Sequence, residues 1–162
     1  MERMTEARKS TPLSEVRDWL RDHIRGKGAI CPACEQPAKV YRRALNHGMT
    51  GFLVRAYAVH GQDWFRATEF LNKEHSTKLL SLEYSKLAYW GFLESSMGVR
   101  EDGGSQGVWR VTRAGVDFIE RRTQAPKYVL LYNARLLERS EELVTVDQAL
   151  SKYFNYEELM TT

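Results

Sequence analysis

Two cysteines two residues apart, Cys31-Pro32-Ala33-Cys34, are the side chains of this sequence whose type and spacing come nearest to chemistry. The turn between such cysteines lets both thiolates reach one zinc ion, but a structural zinc takes four ligands, so the pair supplies half of a site. His23 and His47 flank the pair and lead as the other half, with His60 and His75 behind them. The Cys pair of a second copy is a further route, giving four thiolates across a two-fold axis. A knuckle that holds no metal is the competing account. A redox pair of the thioredoxin kind needs a helix starting within the motif, and Gln36-Pro37 argues for a knuckle instead. The first ten residues, MERMTEARKS, read as a polar tail without the character of a secretory signal, so a structural disulfide is not expected.

A second set of residues could hold phosphate. Lys39, Arg42, Arg43 and Arg55 follow one another with no acid between them and with Tyr41 in their midst. Guanidinium forks bind phosphate bidentately and an aromatic ring can stack on sugar or base; the bland alternative is a solvated face. Further along, a short helix over residues 81–90 turns Tyr84, Leu87, Ala88 and Gly91 inward and leaves Ser85, Lys86 and Tyr89 outward, where they could meet major-groove edges. Arg100 and Arg110 flank the tip of a Gly-rich hairpin and could straddle a minor groove. A net charge of +3 with pI near 8.9 allows nucleic-acid binding without requiring it. Towards the other end Glu138, Glu141, Glu142, Asp147, Glu157 and Glu158 outnumber Arg139 and Lys152, making that end acidic. No phosphate loop with its Lys, no nucleophile elbow and no carboxylate or histidine pairing specifies a reaction, so an enzyme is not expected.

These residues need elements to carry them. With 162 residues, 43% of them apolar, the chain can bury a core as one domain with at most a small appendage. Thr11-Pro12 opens a helix over 12–25 with Leu13, Val16, Leu20 and Ile24 at helical spacing, and Gly26-Lys27-Gly28 stops it. The knuckle occupies 29–36. Helices then read over 48–59, 67–74 and 81–90, the last ended by Gly91 as a left-handed cap, with a short strand near Trp64-Phe65. Hairpin strands over 97–100 and 108–111 enclose the loop 101–107, and Thr112 caps a helix over 113–122. Residues 127–137 are β-prone with an Asn133-Ala134 turn possible between them; Thr145 caps a helix over 146–153, and 156–160 make an acidic turn. The expected fold is α+β: a flexible tail at 1–10, an N-terminal helix and knuckle at 11–47, a winged helix-turn-helix at 48–122, and a strand and helix extension at 123–162 that could dimerise the protein. No apolar run approaches the roughly 18 residues needed to cross a bilayer, so a soluble protein without a membrane partner is expected.

The segments CPACEQPAKVYRRALN at 31–46, KLAYWGFLE at 86–94, VWRVTRAG at 108–115, PKYVLLYN at 126–133 and YEELM at 156–160 together resemble a group of small uncharacterised proteins of bacteriophages and prophages. The resemblance covers most of the chain from Cys31 onward. It implies a virus-encoded winged-helix protein working in the cytoplasm of a bacterial host cell, and it supplies no catalytic residues. The function expected from fold and basic residues is DNA binding in transcription regulation. The alternative is a module that binds and redirects or inhibits a host protein, in host takeover or against a defence.

Overall fold

The computed structural model describes residues 1–4, 10–74, 80–96 and 107–161. In chain order its elements are α1 (Leu13–His23), β1 (Ala29–Ile30), β2 (Pro37–Ala38), β3 (Tyr41–Ala44), α2 (His47–His60), β4 (Phe65–Arg66), α3 (Ala67–Lys73), a 3₁₀ helix (Tyr84–Trp90), β5 (Leu93–Ser95), β6 (Val108–Val111), α4 (Arg113–Ile119), β7 (Ala125–Pro126), β8 (Tyr128–Tyr132), β9 (Arg135–Arg139), β10 (Leu143–Val144), α5 (Val146–Leu150) and α6 (Tyr156–Met160). The class is mixed α+β with small antiparallel sheets. No helix among the described residues is long and apolar enough to cross a membrane.

Local chemistry sets most helix starts. Asn46 accepts the amide of Met49 at 2.9 Å, Thr112 that of Gly115 at 3.1 Å and Asn155 that of Glu158 at 3.1 Å, each satisfying a donor that the first turn leaves open. Thr145 and Gln148 form a reciprocal capping box at α5. The chain divides into two compact units, one of Met1–Arg43 with Val129–Arg139 and one of Ala44–Tyr128 with Ser140–Thr162.

In the first unit α1 buries Val16, and Ile24 just beyond its end accepts the amide of Val40 at 3.1 Å. The β1–β2 hairpin pairs Ala29 with Ala38 and Ile30 with Pro37, and carries the Cys knuckle at its tip. Gly28 is required where it stands: its φ of 81° is left-handed, and a Cβ there would lie 2.7 Å from the Ala38 carbonyl oxygen. β8 and β9 form a hairpin turned by Asn133 and Ala134, both with positive φ, as a two-residue connection between right-twisted strands demands. The three-strand order is β3-β8-β9, with β3 at an edge.

The second unit is built on α2, whose Gly48 through Val54 and Ala56 are all buried. Phe52 stacks on Tyr84 with ring centroids 4.6 Å apart and meets Phe70 edge-on at 5.2 Å. Phe92 stacks on Phe118 at 4.8 Å. β4, β6 and β5 lie side by side in that order, pairing Phe65 with Trp109 and Leu93 with Val111. Trp90 donates its indole N–H to the Pro126 carbonyl at 2.7 Å, so this buried aromatic keeps its one polar group satisfied.

Three local expectations are revised. The segment over 81–90 forms a 3₁₀ helix from Tyr84, although Gly91 ends it in the left-handed region as its type suggests. The strand that pairs with β6 is β5, directly after Gly91, because burial of Phe92 and Leu93 fixes the chain there; the strand expected over 97–100 lies outside the described residues. The last helix stops at Leu150, where Ser151 turns left-handed with φ 58°, and the acidic turn beyond it is a further helix, α6.

Gly115 lets α4 approach β5, since a Cβ there would sit 2.5 Å from the Phe92 carbonyl oxygen, whereas one at Gly51 would meet the Phe154 ring at 2.9 Å. Backbone cannot swing aside as a ring can. Gly115→Ala is expected to destabilise the protein by roughly 1–3 kcal/mol in urea unfolding, with Gly51→Ala at the low end of that range.

Candidate nucleic-acid interface and cysteine knuckle

Extended backbone over Tyr41–Ala44 leaves all four residues of β3 exposed. Arg42 and Arg43, being consecutive on a strand, project to opposite faces, so each can reach a different anion. Lys39, just before β3, is half-buried and packs its stem against Gly28.

Arg55 is placed quite differently. Its guanidinium meets both carboxylate oxygens of Glu74, at 3.0 and 3.2 Å, and donates to the Leu159 and Thr161 carbonyls at 3.1 and 2.6 Å. With side chains only 17% and 15% exposed, Arg55 and Glu74 form an internal strap joining α2, the end of α3 and α6. Arg55 is therefore corrected from phosphate ligand to structural tie: its donors are used inside the fold.

The residues expected to read bases are also partly neutralised. Lys86 bonds to Glu83 at 2.7 Å, Ser85 is exposed and Tyr89 is half-buried. Arg110 pairs across the sheet with Glu94 and lies 4.4 Å over the Trp64 ring. Arg100 lies outside the described residues. Around them Arg121 is paired with Asp147, Arg122 with Asp117 and Glu120, and Lys127 with Glu142. The bidentate Arg121 pair holds the Asp147 carboxyl below its usual range, the hydrogen bonds outweighing partial burial.

Formal charge is divided between the units. The first holds twelve Lys and Arg against seven Asp and Glu, a net of +5, and the second twelve against fourteen, a net of −2. Phosphate attraction follows the first unit. Sequence spacing hinted at this, because Arg17, Arg21 and Arg25 recur every fourth residue, yet these three were not among the candidates.

At the knuckle Cys31 is half-buried and Cys34 exposed, and both are free thiols. The Cys31 amide donates to Gln36 at 2.8 Å, and the Glu35 amide returns to the Cys31 carbonyl at 2.8 Å, with Glu35 left-handed at φ 61°. Burial alone would raise the Cys31 thiol pKa; hydrogen bonds from the Cys34 and Ala33 amides and the Cys34 thiol outweigh it, and the pKa is lowered. Such a thiolate pair fits a soft divalent ion as two ligands of four. The histidines expected to complete it are engaged elsewhere. His23 Nδ1 lies 2.7 Å from the Trp19 carbonyl, its ring stacks on Trp19 at 4.3 Å and its Nε2 faces Glu2 at 3.5 Å. His47 stacks on Tyr153 at 4.1 Å. Among the described residues no group of three or more His, Cys, Asp or Glu side chains is placed to hold a metal ion.

No family model, curated protein or solved structure matches this chain.

Removing the strap cation leaves a mostly buried Glu74 charge without its guanidinium. Arg55→Met is expected to lower unfolding stability by roughly 3 kcal/mol, while Lys86→Met, at a more exposed pair, changes it by under about 1 kcal/mol; thermal or urea melts measure both.

Proposed function

We propose that the protein binds duplex DNA and regulates transcription, and that its principal phosphate contacts come from the N-terminal unit. The carrying observation is the division of charge, +5 against −2. The second unit is read as a winged helix: helix, strand, two helices and two strands follow in that order, with the sheet arranged β4-β6-β5 and α4 after the last strand. On the resemblance of residues 31–160 it is a phage-encoded protein acting in a bacterial host cell. Electrostatic contact of this kind is sequence-independent, so affinity falls linearly on a log–log salt plot. Arg42→Gln with Arg43→Gln is expected to weaken binding to all duplexes alike and to reduce the salt slope by about 1.8, while Lys86→Gln with Arg110→Gln leaves the slope unchanged. Fluorescence anisotropy across a salt series measures this. A flat salt dependence in the wild type rules the reading out.

Internal neutralisation of Lys86 and Arg110, beside an 81% exposed Leu82 and a 45% exposed Trp64, favours a second reading in which the winged-helix unit engages a host protein. That complex would survive nuclease treatment.

The knuckle is read as half of a zinc site completed by the same pair in a second copy. The expected content is one zinc per two chains, in a dimer that a chelator converts to monomer; elemental analysis with light scattering checks both. A full zinc per monomeric chain excludes the shared site.

A further inference from the structure

Within the N-terminal unit α1 and the β8–β9 hairpin enclose a groove of about 530 Å³. Leu20, Ile24, Leu137 and Tyr132 give it an apolar lining. Four guanidiniums line it: Arg17, Arg21 and Arg25 from α1 and the residues following it, and Arg135 from β9. Spacing by four residues sets successive cations about 6 Å apart along the helix.

Few acids offset these cations. Arg21 pairs with Asp18 at 3.0 Å, but both are largely exposed, and an exposed pair at i, i+3 is weak. Arg25 bonds to Glu138 at 2.8 Å and braces the groove from helix to strand. Arg17 and Arg135 make no ion pair among the described residues. With Arg25 held by Glu138, the other three gathered around one concavity repel until an anion enters, and together they call for more than one negative group.

The apolar lining narrows the choice of polyanion. A duplex presents phosphate and sugar outward and keeps its bases stacked inside, so an apolar lining gains little from it. A single strand offers both surfaces at once: phosphates for the guanidinium forks, and base faces for Leu137, which is 40% exposed, and for Tyr132. All four cations are arginines, whose planar groups can also lie flat on a base.

We infer that this groove binds single-stranded nucleic acid, with phosphates held by Arg17, Arg21 and Arg135 and a base seated over Leu20 and Leu137 beside Tyr132. The inference goes beyond the duplex reading: it assigns a second, single-stranded ligand to a separate site on the same unit. Arg25, held by Glu138, ties the two walls together.

The test compares a labelled oligothymidylate of about 15 nucleotides with a duplex of equal length by anisotropy, on the full chain. The variants are Arg17→Gln with Arg135→Gln, Leu137→Asp, and Arg42→Gln with Arg43→Gln, each checked for an unchanged circular dichroism spectrum and melt. Loss of Arg17 and Arg135 is expected to weaken oligothymidylate binding at least tenfold and to reduce its salt slope by about 1.4, from two phosphate contacts. Leu137→Asp should weaken it similarly, and duplex affinity should change less than threefold in both. The inference is overturned if either groove variant binds oligothymidylate as the wild type does, if duplex binding falls in parallel, or if oligoglutamate competes as well as oligothymidylate, which would make the groove a peptide site. Duplex binding without single-strand binding overturns the groove and leaves the proposed function standing; the reverse overturns the proposed function and leaves the groove.

Discussion

A helix with almost no face to water is the constraint on which the second unit depends. α2 buries Gly48 through Val54 and Ala56, so it must be covered on every side, and α4, α5, α6 and the 3₁₀ helix supply the cover. Full enclosure admits few polar groups, and those it admits are matched: Thr50 returns its hydroxyl to the Asn46 carbonyl at 2.8 Å, and Arg55 is held by a carboxylate and two carbonyls. Two glycines make the enclosure possible, Gly51 beneath the Phe154 ring and Gly115 beneath the Phe92 backbone. Close approach, more than side-chain volume, fixes where the surrounding helices lie.

That enclosure also decides what the cations do. In the second unit basic residues meet acids from neighbouring elements: Arg110 from Glu94 on the next strand, Arg121 from Asp147 at the start of α5, and Arg55 from Glu74 at the end of α3. The first unit has a smaller core, and its arginines on α1, β3 and β9 lie at the surface, where the Arg21 pair with Asp18 and the Arg25 pair with Glu138 are largely solvated. A modest net charge of +3 thus conceals a strongly basic part and a mildly acidic one.

Features set by a residue and its immediate neighbours were legible in the sequence. Thr112 and Thr145 announce their helices because a hydroxyl just before the first turn accepts the open amide three residues on, Gly91 ends the 3₁₀ helix because it enters left-handed space freely, and Asn133-Ala134 reverses the β8–β9 hairpin. Features set at long range were not. Nothing near Arg55 in sequence points to Glu74 nineteen residues on or to carbonyls more than a hundred residues away. The choice of Leu93–Ser95 as the partner of β6 follows from which residues the core accepts, and the grouping of Val129–Arg139 with the N-terminal residues from tertiary pairing alone. Of the candidate site, exposure of Arg42 and Arg43 was readable from composition, while the engagement of His23 with Trp19 and Glu2 depends on a ring orientation that spacing does not encode.

β3 lies at the border of its sheet, paired on one side by β8 and, among the described residues, with no strand on the other. A bare strand offers a row of amides and carbonyls to any passing strand, and charged side chains are a common guard against that encounter. Arg42 and Arg43 place like charges on both sides of this border, so a second copy bringing the same strand alongside meets repulsion. The guanidiniums that would grip a nucleic acid therefore also keep copies of the protein from adding strand to strand. Neutralising them trades an electrostatic handle for a tendency to self-associate, and a saturating polyanion, by occupying the same groups, would have the opposite effect and shield the border.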